Sequence, residues 1–194
     1  MTAGPRPGSG PTMDRQSTAS RTDQNGAGER PRKDRQTVTP DGSRIQLLID
    51  GVRLRSPVTQ VDDRGTLCEI YDPGWGFTAE PLVYVYQTTV EPGQAKGWML
   101  HRLQDDRLFF SSGRAKVVLF DDRDGSPTRG LINEHFFADQ HRALLRIPAG
   151  VWHAVQNIGQ TEVVFVNCPT RPYNHADPDK YRLPLDTPAI PYSF

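Results

Sequence analysis

The sequence predicts an all-β chain folded as an antiparallel barrel or sandwich, and three observations carry that expectation. Between Leu67 and Asn167 the chain is a series of short apolar runs, each bounded by Gly, Pro, Asp or Asn. No segment sustains the apolar period of a long amphipathic helix. Residues 145–157, L-R-I-P-A-G-V-W-H-A-V-Q-N, read as two strands joined by a Pro-x-Gly turn. At 194 residues there is enough chain for one domain of ordinary size, with some excess.

The excess lies at the start. Residues 1–43 are Gly, Pro, Ser, Thr, Arg and Asp with almost no large apolar side chain, so they cannot offset their ordering entropy and are expected to be a disordered tail. The weak basic cluster of Arg30, Arg32, Lys33 and Arg35 reads as part of that solvated tail. Order is expected over 44–194, beginning with the apolar run Ile45, Leu47, Leu48, Val52 and Leu54 and its Asp50-Gly51 turn. Strands are expected over 67–71, 82–89, 97–103, 108–111, 116–121, 143–147, 151–156 and 162–167. Residues 133–140 read as a helical turn at most, and 169–194 as irregular chain whose aromatics pack on the barrel.

Lys+Arg and Asp+Glu both number 23, so no general electrostatic case exists for nucleic acid or an anionic membrane, and any anion site must be local. Cys68 and Cys168 are too few for a disulfide framework and sit in apolar runs, which points to free thiols in a reducing, cytoplasmic setting. No run approaches the roughly 18 apolar residues of a membrane span, and the N-terminus lacks the apolar core of a signal peptide.

The chemistry gathers around two histidines. Pro148, Gly150, His153 and Asn157 complete the pattern P-x-G-x-x-H-x-x-x-N, the second motif of cupin jelly-roll barrels, in which His153 on its strand faces the lumen. The first such motif would run from Gly97 through His101 to Gly113. There the next ligand position holds Leu103, and the glutamate position falls at or beside Arg107. A guanidinium beside the site would repel a divalent cation, so no metal and no other cofactor is expected.

Further motifs are similar to the dTDP-4-dehydrorhamnose 3,5-epimerase family. The run Asp63-Arg64-Gly65-Thr66-Leu67-Cys68-Glu69 resembles its D-x-R-G-x-F-x-E opening, and Gln87 the glutamine of its next strand. Met99-Leu100-His101 resembles the end of R-G-L-H, and Asp122-Arg123-Asp124-Gly125-Ser126-Pro127-Thr128 with Gly130 resembles the turn D-x-R-x-x-S-P-T-x-G. The segment from Leu185 and Asp186 to Ile190 resembles the closing aspartate segment. The likeness spans residues 49–190.

This resemblance implies a cupin jelly roll that epimerises a dTDP-linked 4-keto-6-deoxy sugar at C3 and/or C5 through an enolate, in deoxysugar biosynthesis. It implies His101 as the base, Asp186 as the carboxylate orienting it, and His153 at the enolate. Arg107 stands where the family has an oxyanion-holding lysine, and Arg64, Glu69 and Gln87 are implied nucleotide ligands. Three positions depart from the pattern: Trp98 replaces a diphosphate-binding arginine, Leu67 a phenylalanine, and Asn167 the acid tyrosine, leaving Tyr173 or Tyr181 as nearby phenols. Tyr173 is a candidate substrate contact. A homodimer is implied, with residues 45–54 as an exchanging element, and no nucleic-acid or membrane partner. Two rival readings share these residues: a non-catalytic sugar-nucleotide-binding cupin, and a 4-keto sugar 3,4-ketoisomerase, against which Leu103 counts because such enzymes carry two close histidines.

Overall fold

A computed structural model of the chain describes residues 33–42 and 44–194. The expected tail therefore falls largely outside the described residues. Within the first unit, which ends at Ile45, Val38 bridges Arg44 across a turn in which the Gly42 amide donates to the Thr39 carbonyl at 2.9 Å.

In the second unit, from Gln46 to Phe194, twelve strands are described and every pairing is antiparallel. They are β1 (Arg53–Arg55), β2 (Thr59–Asp62), β3 (Gly65–Cys68), β4 (Tyr86–Val90), β5 (Ala95–Leu100) and β6 (Asp106–Ser112). After these come β7 (Ala115–Asp121), β8 (Ile132–Phe137), β9 (Leu144–Ile147), β10 (Val151–Asn157), β11 (Val163–Asn167) and β12 (Tyr181–Arg182). One five-stranded sheet runs β1-β9-β6-β11-β4, a second runs β12-β5-β10-β7-β8, and β2–β3 form a separate hairpin. This is the jelly roll expected from the sequence.

The two sheets enclose one core. Leu108 and Phe110 of β6, Val117 and Leu119 of β7, Val151 and Val155 of β10 and Phe165 of β11 meet there, with Phe110 stacked on Phe137 at 4.2 Å between ring centres. The outer faces are covered as well. Trp98, Val118, Phe120 and Ala154 lie under the C-terminal chain with Ile190 and Tyr192, and Phe109 and Leu144 lie under Phe77, Tyr71 and Trp75. Burial on both faces explains why β7 reads as a continuous apolar run, Val117 to Phe120, instead of alternating.

Residues 133–140 are not a helical turn, because β8 occupies most of that stretch. Its inward side carries Asn133, His135 and Phe137, and two polar residues on that side conceal the strand pattern. Asn133 serves the structure. Its Oδ1 accepts from the Ile49 amide at 2.8 Å and its Nδ2 donates to the Leu47 carbonyl at 2.9 Å, which ties the incoming chain to the barrel. That incoming run is strand only at β1, since the Asp50-Gly51 turn, with the Val52 amide donating to the Ile49 carbonyl at 2.9 Å, bends it.

The D-x-R-x-x-S-P-T turn is a lock, and its leading acid is Asp121, not Asp122. The fully buried Asp121 carboxylate accepts from Arg123 Nε at 2.9 Å and from the Ser126 and Thr128 hydroxyls at 2.6 Å each. Burial alone would raise its pKa, but the Arg123, Ser126 and Thr128 donors outweigh it and hold the acid well below the usual carboxylate range. Its folded value being depressed, Asp121 adds stability above the ordinary carboxylate pKa and loses it as pH falls through the folded value. Arg123 in turn lies under Gly150, where an added Cβ would sit 3.0 Å from its side chain. The Gly150 amide donates to the His101 carbonyl at 2.6 Å, so the turn between β9 and β10 also fixes the backbone of a candidate site residue.

Strands β5 and β10 approach closely at Gly97, where a Cβ would lie 2.3 Å from Ala154 Cβ and 2.7 Å from Ala154 Cα, beside a register shift between His153 and Val155. Gly97→Ala must part the strands that carry the site and is expected to destabilise by about 3 kcal/mol. Gly125→Ala, at an exposed turn with φ +73 and open space around it, is expected to lose only about 1 kcal/mol. Urea denaturation of the two variants checks the contrast, and equal losses would contradict it.

Candidate active site

Strand alternation decides which side chains reach the lumen. On β10, Val151, His153 and Val155 face inward while Trp152 and Ala154 face out. On β6 the inward set is Asp106, Leu108 and Phe110, and the outward set is Arg107 and Phe109. His101 follows β5. These elements enclose a cavity of about 400 Å³ between the sheets, with Met99, Leu108, Val155 and Phe165 as its apolar wall.

At one end of it His101, Asp106 and His153 converge, all buried. Nε2 of each imidazole lies 3.4 Å from Asp106 Oδ2, and the ring centres are 5.7 Å apart. Gln104 Nε2 donates to the other Asp106 oxygen at 3.0 Å. The opposite ring nitrogens are held by carbonyls: His101 Nδ1 donates to Asp179 O, and His153 Nδ1 donates to Val151 O at 3.2 Å. Since a carbonyl only accepts, each Nδ1 keeps its hydrogen and each Nε2 is the nitrogen offered to the cavity.

The electrostatics follow. Burial alone would raise the Asp106 pKa, but hydrogen bonds and charge from His101 and His153 hold it far below the ordinary range. Burial pulls the His101 pKa down, and the Asp106 carboxylate and Asp179 more than reverse this, so the net shift is upward. The Asp179 carboxylate accepts from the Arg102 amide at 2.9 Å and the Leu103 amide at 2.8 Å, which clamps the His101 loop from the C-terminal chain. Lys96, Lys180 and Arg182 also line the cavity. Burial first, and Arg182 and Lys96 after it, lower the Lys180 pKa.

The residues singled out in the sequence are distributed unevenly about this site. His101 and His153 meet in it. Arg107, at 0% exposure, does not: it projects from the outer face of β6, stacks over Tyr71 at 4.8 Å and donates to the carbonyls of Cys168, Glu80, Pro81 and Pro169 and to the Tyr71 and Thr78 hydroxyls. It lies one residue, and therefore one sheet face, from the carboxylate that does face the lumen. Asp186 is exposed and lines no part of the cavity; the acid reaching His101 is Asp106. Arg64 is exposed on the β2–β3 turn and paired with Asp62, and Glu69 is exposed just past β3. Gln87 is exposed on the face of β4 opposite the cavity-lining Tyr86 and Thr88, and Tyr173 is exposed with its ring edge-on to His175 at 4.8 Å.

Asp106, Lys96, Lys180, Arg182 and Tyr86 went unnoticed in the sequence. For Asp106 the signal was present: it shares parity with the apolar Leu108 and Phe110. His101, Asp106 and His153 also present ligand atoms all within 4.8 Å of one another, a two-histidine, one-carboxylate set able to hold a divalent ion. The guanidinium expected to repel such an ion lies outside the lumen, although Lys96 and Lys180 are inside it.

A β barrel whose lumen brings together imidazoles from its two signature strands is a cupin, and comparison with known proteins narrows the class. No protein-family model matches the sequence. The probable low-salt glycan biosynthesis epimerase Agl13 of Haloferax volcanii is 32% identical over 140 residues, 71% of this chain and 89% of that protein. The spore coat polysaccharide biosynthesis protein SpsL of Bacillus subtilis is 32% identical over 147 residues, 76% of this chain and 97% of that protein. Among solved structures, a dTDP sugar isomerase from Desulfovibrio desulfuricans G20 matches with a TM-score of 0.70 at 28% identity, covering 76% of this chain and 94% of that one. The dTDP-4-dehydrorhamnose 3,5-epimerase of Bacillus anthracis shares the fold, with a TM-score of 0.66 at 17% identity over 76% of this chain and 87% of that one. The chain belongs to the dTDP-4-dehydrorhamnose 3,5-epimerase family of cupin-fold sugar-nucleotide epimerases, enzymes of the isomerase class.

The setting of Arg107 generates a test of its role. Arg107→Met would leave the Glu80, Pro81, Cys168 and Pro169 carbonyls without their buried donor and is expected to destabilise the fold by about 3 kcal/mol. Turnover per folded molecule should be unchanged. Thermal melting and active-site titration together decide it, since an oxyanion role would lower turnover and leave melting untouched.

Proposed function

We propose that the cavity binds a dTDP-linked 4-keto-6-deoxy sugar and inverts it beside the ketone, at C3 and/or C5, through an enolate. The observation that carries the reading is the buried His101–Asp106–His153 cluster at the end of a cavity also lined by Lys96, Lys180 and Arg182. Neutral His101 takes the proton from carbon at Nε2. Asp106 and the Asp179 carbonyl orient the ring and stabilise its charged form, the role the sequence suggested for Asp186. The Lys180 ammonium, and the Nε2–H of His153 in its protonated form, face the charge that develops on the C4 oxygen, the place suggested for Arg107. The remaining cations suit the diphosphate, where Trp98, buried at 0% exposure, cannot. The likeness to the Desulfovibrio dTDP sugar isomerase supports the nucleotide assignment.

A homodimer acting in the cytoplasm is part of the proposal. Val58, Val61 and Leu67 on or beside the β2–β3 hairpin, and Leu82, Val83 and Val85 before β4, are exposed apolar side chains of a kind that a second copy would cover. Arg64 and Glu69 on that hairpin would then reach nucleotide in the partner's cavity. The two free cysteines accord with a reducing compartment, and no described helix is long and apolar enough to cross a membrane.

A second reading rests on the same cluster as a metal site, which would make the barrel a metal-dependent cupin. Incubation with the sugar nucleotide in D₂O separates the two. The proposal expects deuterium at C3 or C5 with chelator present, loss of exchange by about a thousandfold in His101→Ala, and no stoichiometric metal by elemental analysis. Because the base must be neutral and its pKa is raised, activity should rise with pH through a value above the ordinary 6.5. Asp106→Asn removes the main cause of that elevation and should move the limb downward. One tightly held equivalent of metal, with exchange abolished by chelator, would replace the proposal by the metal reading.

A further inference from the structure

Inversion needs a proton donor on the face of the enolate away from the base, and an asparagine at position 167 carries no proton it can give up. Tyr86 and Asn167 are direct partners in the β4–β11 register, so their side chains share a face of the first sheet, and both line the cavity. His101 and His153 belong to the second sheet and its edge, so phenol and imidazoles approach a ligand from opposite walls. Asn167 Oδ1 accepts from the Arg107 backbone amide at 3.2 Å, which fixes the amide orientation and leaves Nδ2 to donate to the Tyr86 hydroxyl at 2.8 Å. The phenol oxygen is thus an acceptor toward Asn167, and its own hydrogen is free to point into the cavity.

We propose that Tyr86 is the general acid of this site, a catalytic residue supplied by β4, and that Asn167 positions it. The inference rests on the epimerase reading above. His101 takes the proton from C3, the C–H electron pair becomes the C3=C4 bond, and the C4 oxygen takes the charge. Tyr86 then gives its proton to C3 from the other wall, so the O–H bond breaks, a new C–H bond forms and the C4 carbonyl returns. The phenolate and imidazolium left behind regain neutrality by proton exchange with water after product leaves. Burial first, and the Asp106 charge after it, raise the Tyr86 pKa to about 12, while the Asn167 hydrogen bond acts in the lowering direction. The phenol is therefore fully protonated at neutral pH, and Asn167 stabilises the phenolate as it forms. The phenols closer to position 167 in sequence do not line the cavity: Tyr173 is exposed, and Tyr181 is exposed under the Arg102 guanidinium at 4.3 Å.

The test follows deuterium exchange and inversion separately by NMR, using the full chain and dTDP-4-keto-6-deoxyglucose in D₂O. Tyr86→Phe keeps the ring and removes only the hydroxyl; it is expected to lower inversion about a hundredfold or more while exchange stays within about threefold of the unaltered protein. Asn167→Asp keeps the phenol but turns its hydrogen toward a carboxylate, and it should also lower inversion relative to exchange. A purely structural role would move exchange, inversion and melting temperature together. Inversion that survives Tyr86→Phe overturns the inference and leaves the epimerase reading standing, as does a parallel loss of exchange, inversion and nucleotide binding. No exchange in the unaltered protein removes that reading, and this inference with it.

Discussion

One buried carboxylate sets the terms for everything around it. Asp106 is 4% exposed, and an ionised acid so placed persists only if its charge is met by donors. Gln104 donates to it, each imidazole donates to it from Nε2 when protonated, and the Asp179 and Val151 carbonyls hold the two rings in the orientation this requires. The result is a short chain of dependence: carboxylate on imidazoles, imidazoles on carbonyls, and one of those carbonyls on a C-terminal segment far away in sequence. Protonation of His101 is then a property of the whole arrangement.

The same economy governs the scaffold. Each large sheet is covered on its outer face, by the C-terminal chain on one side and by residues 68–77 on the other. Arg107 belongs to that outer layer, where its donors join the sheet to the covering carbonyls. Asp121 acts comparably at the turn beyond β7, drawing Arg123, Ser126 and Thr128 onto one carboxylate. Both are charged groups inside a β protein whose partners are mostly local or neutral, and neither touches the cavity. Charge in this chain is divided between fastening the layers and lining the site.

How much of this was legible in the sequence depended on parity. Period-two apolar runs and the turn at Pro148 to Gly150 located most strands, and the two signature histidines located the lumen. Strand β8 was missed because Asn133 and His135 occupy inward positions, and β12 because two residues carry no pattern. At the first motif, a pattern aligned to within one residue could not choose between Asp106 and Arg107, and in a strand one residue is the difference between opposite faces. Lys180 and Arg182 come from an irregular segment, and no local signal says which way such a segment folds back. The tyrosine pairing with Asn167 was hidden for a similar reason, since the two meet only through the register of β4 on β11.

The clamp that Asp179 places on the His101 loop bears on the order in which the protein is made. The barrel strands through β11 are all synthesised before residues 179–182, yet the carbonyl that fixes His101, two cations of the cavity and the edge strand β12 arrive with those residues. A chain emerging from the ribosome can therefore close its core while the His101 imidazole is still unheld. The cluster is completed last, when residues 179–182 dock and add β12 to the edge of the second sheet.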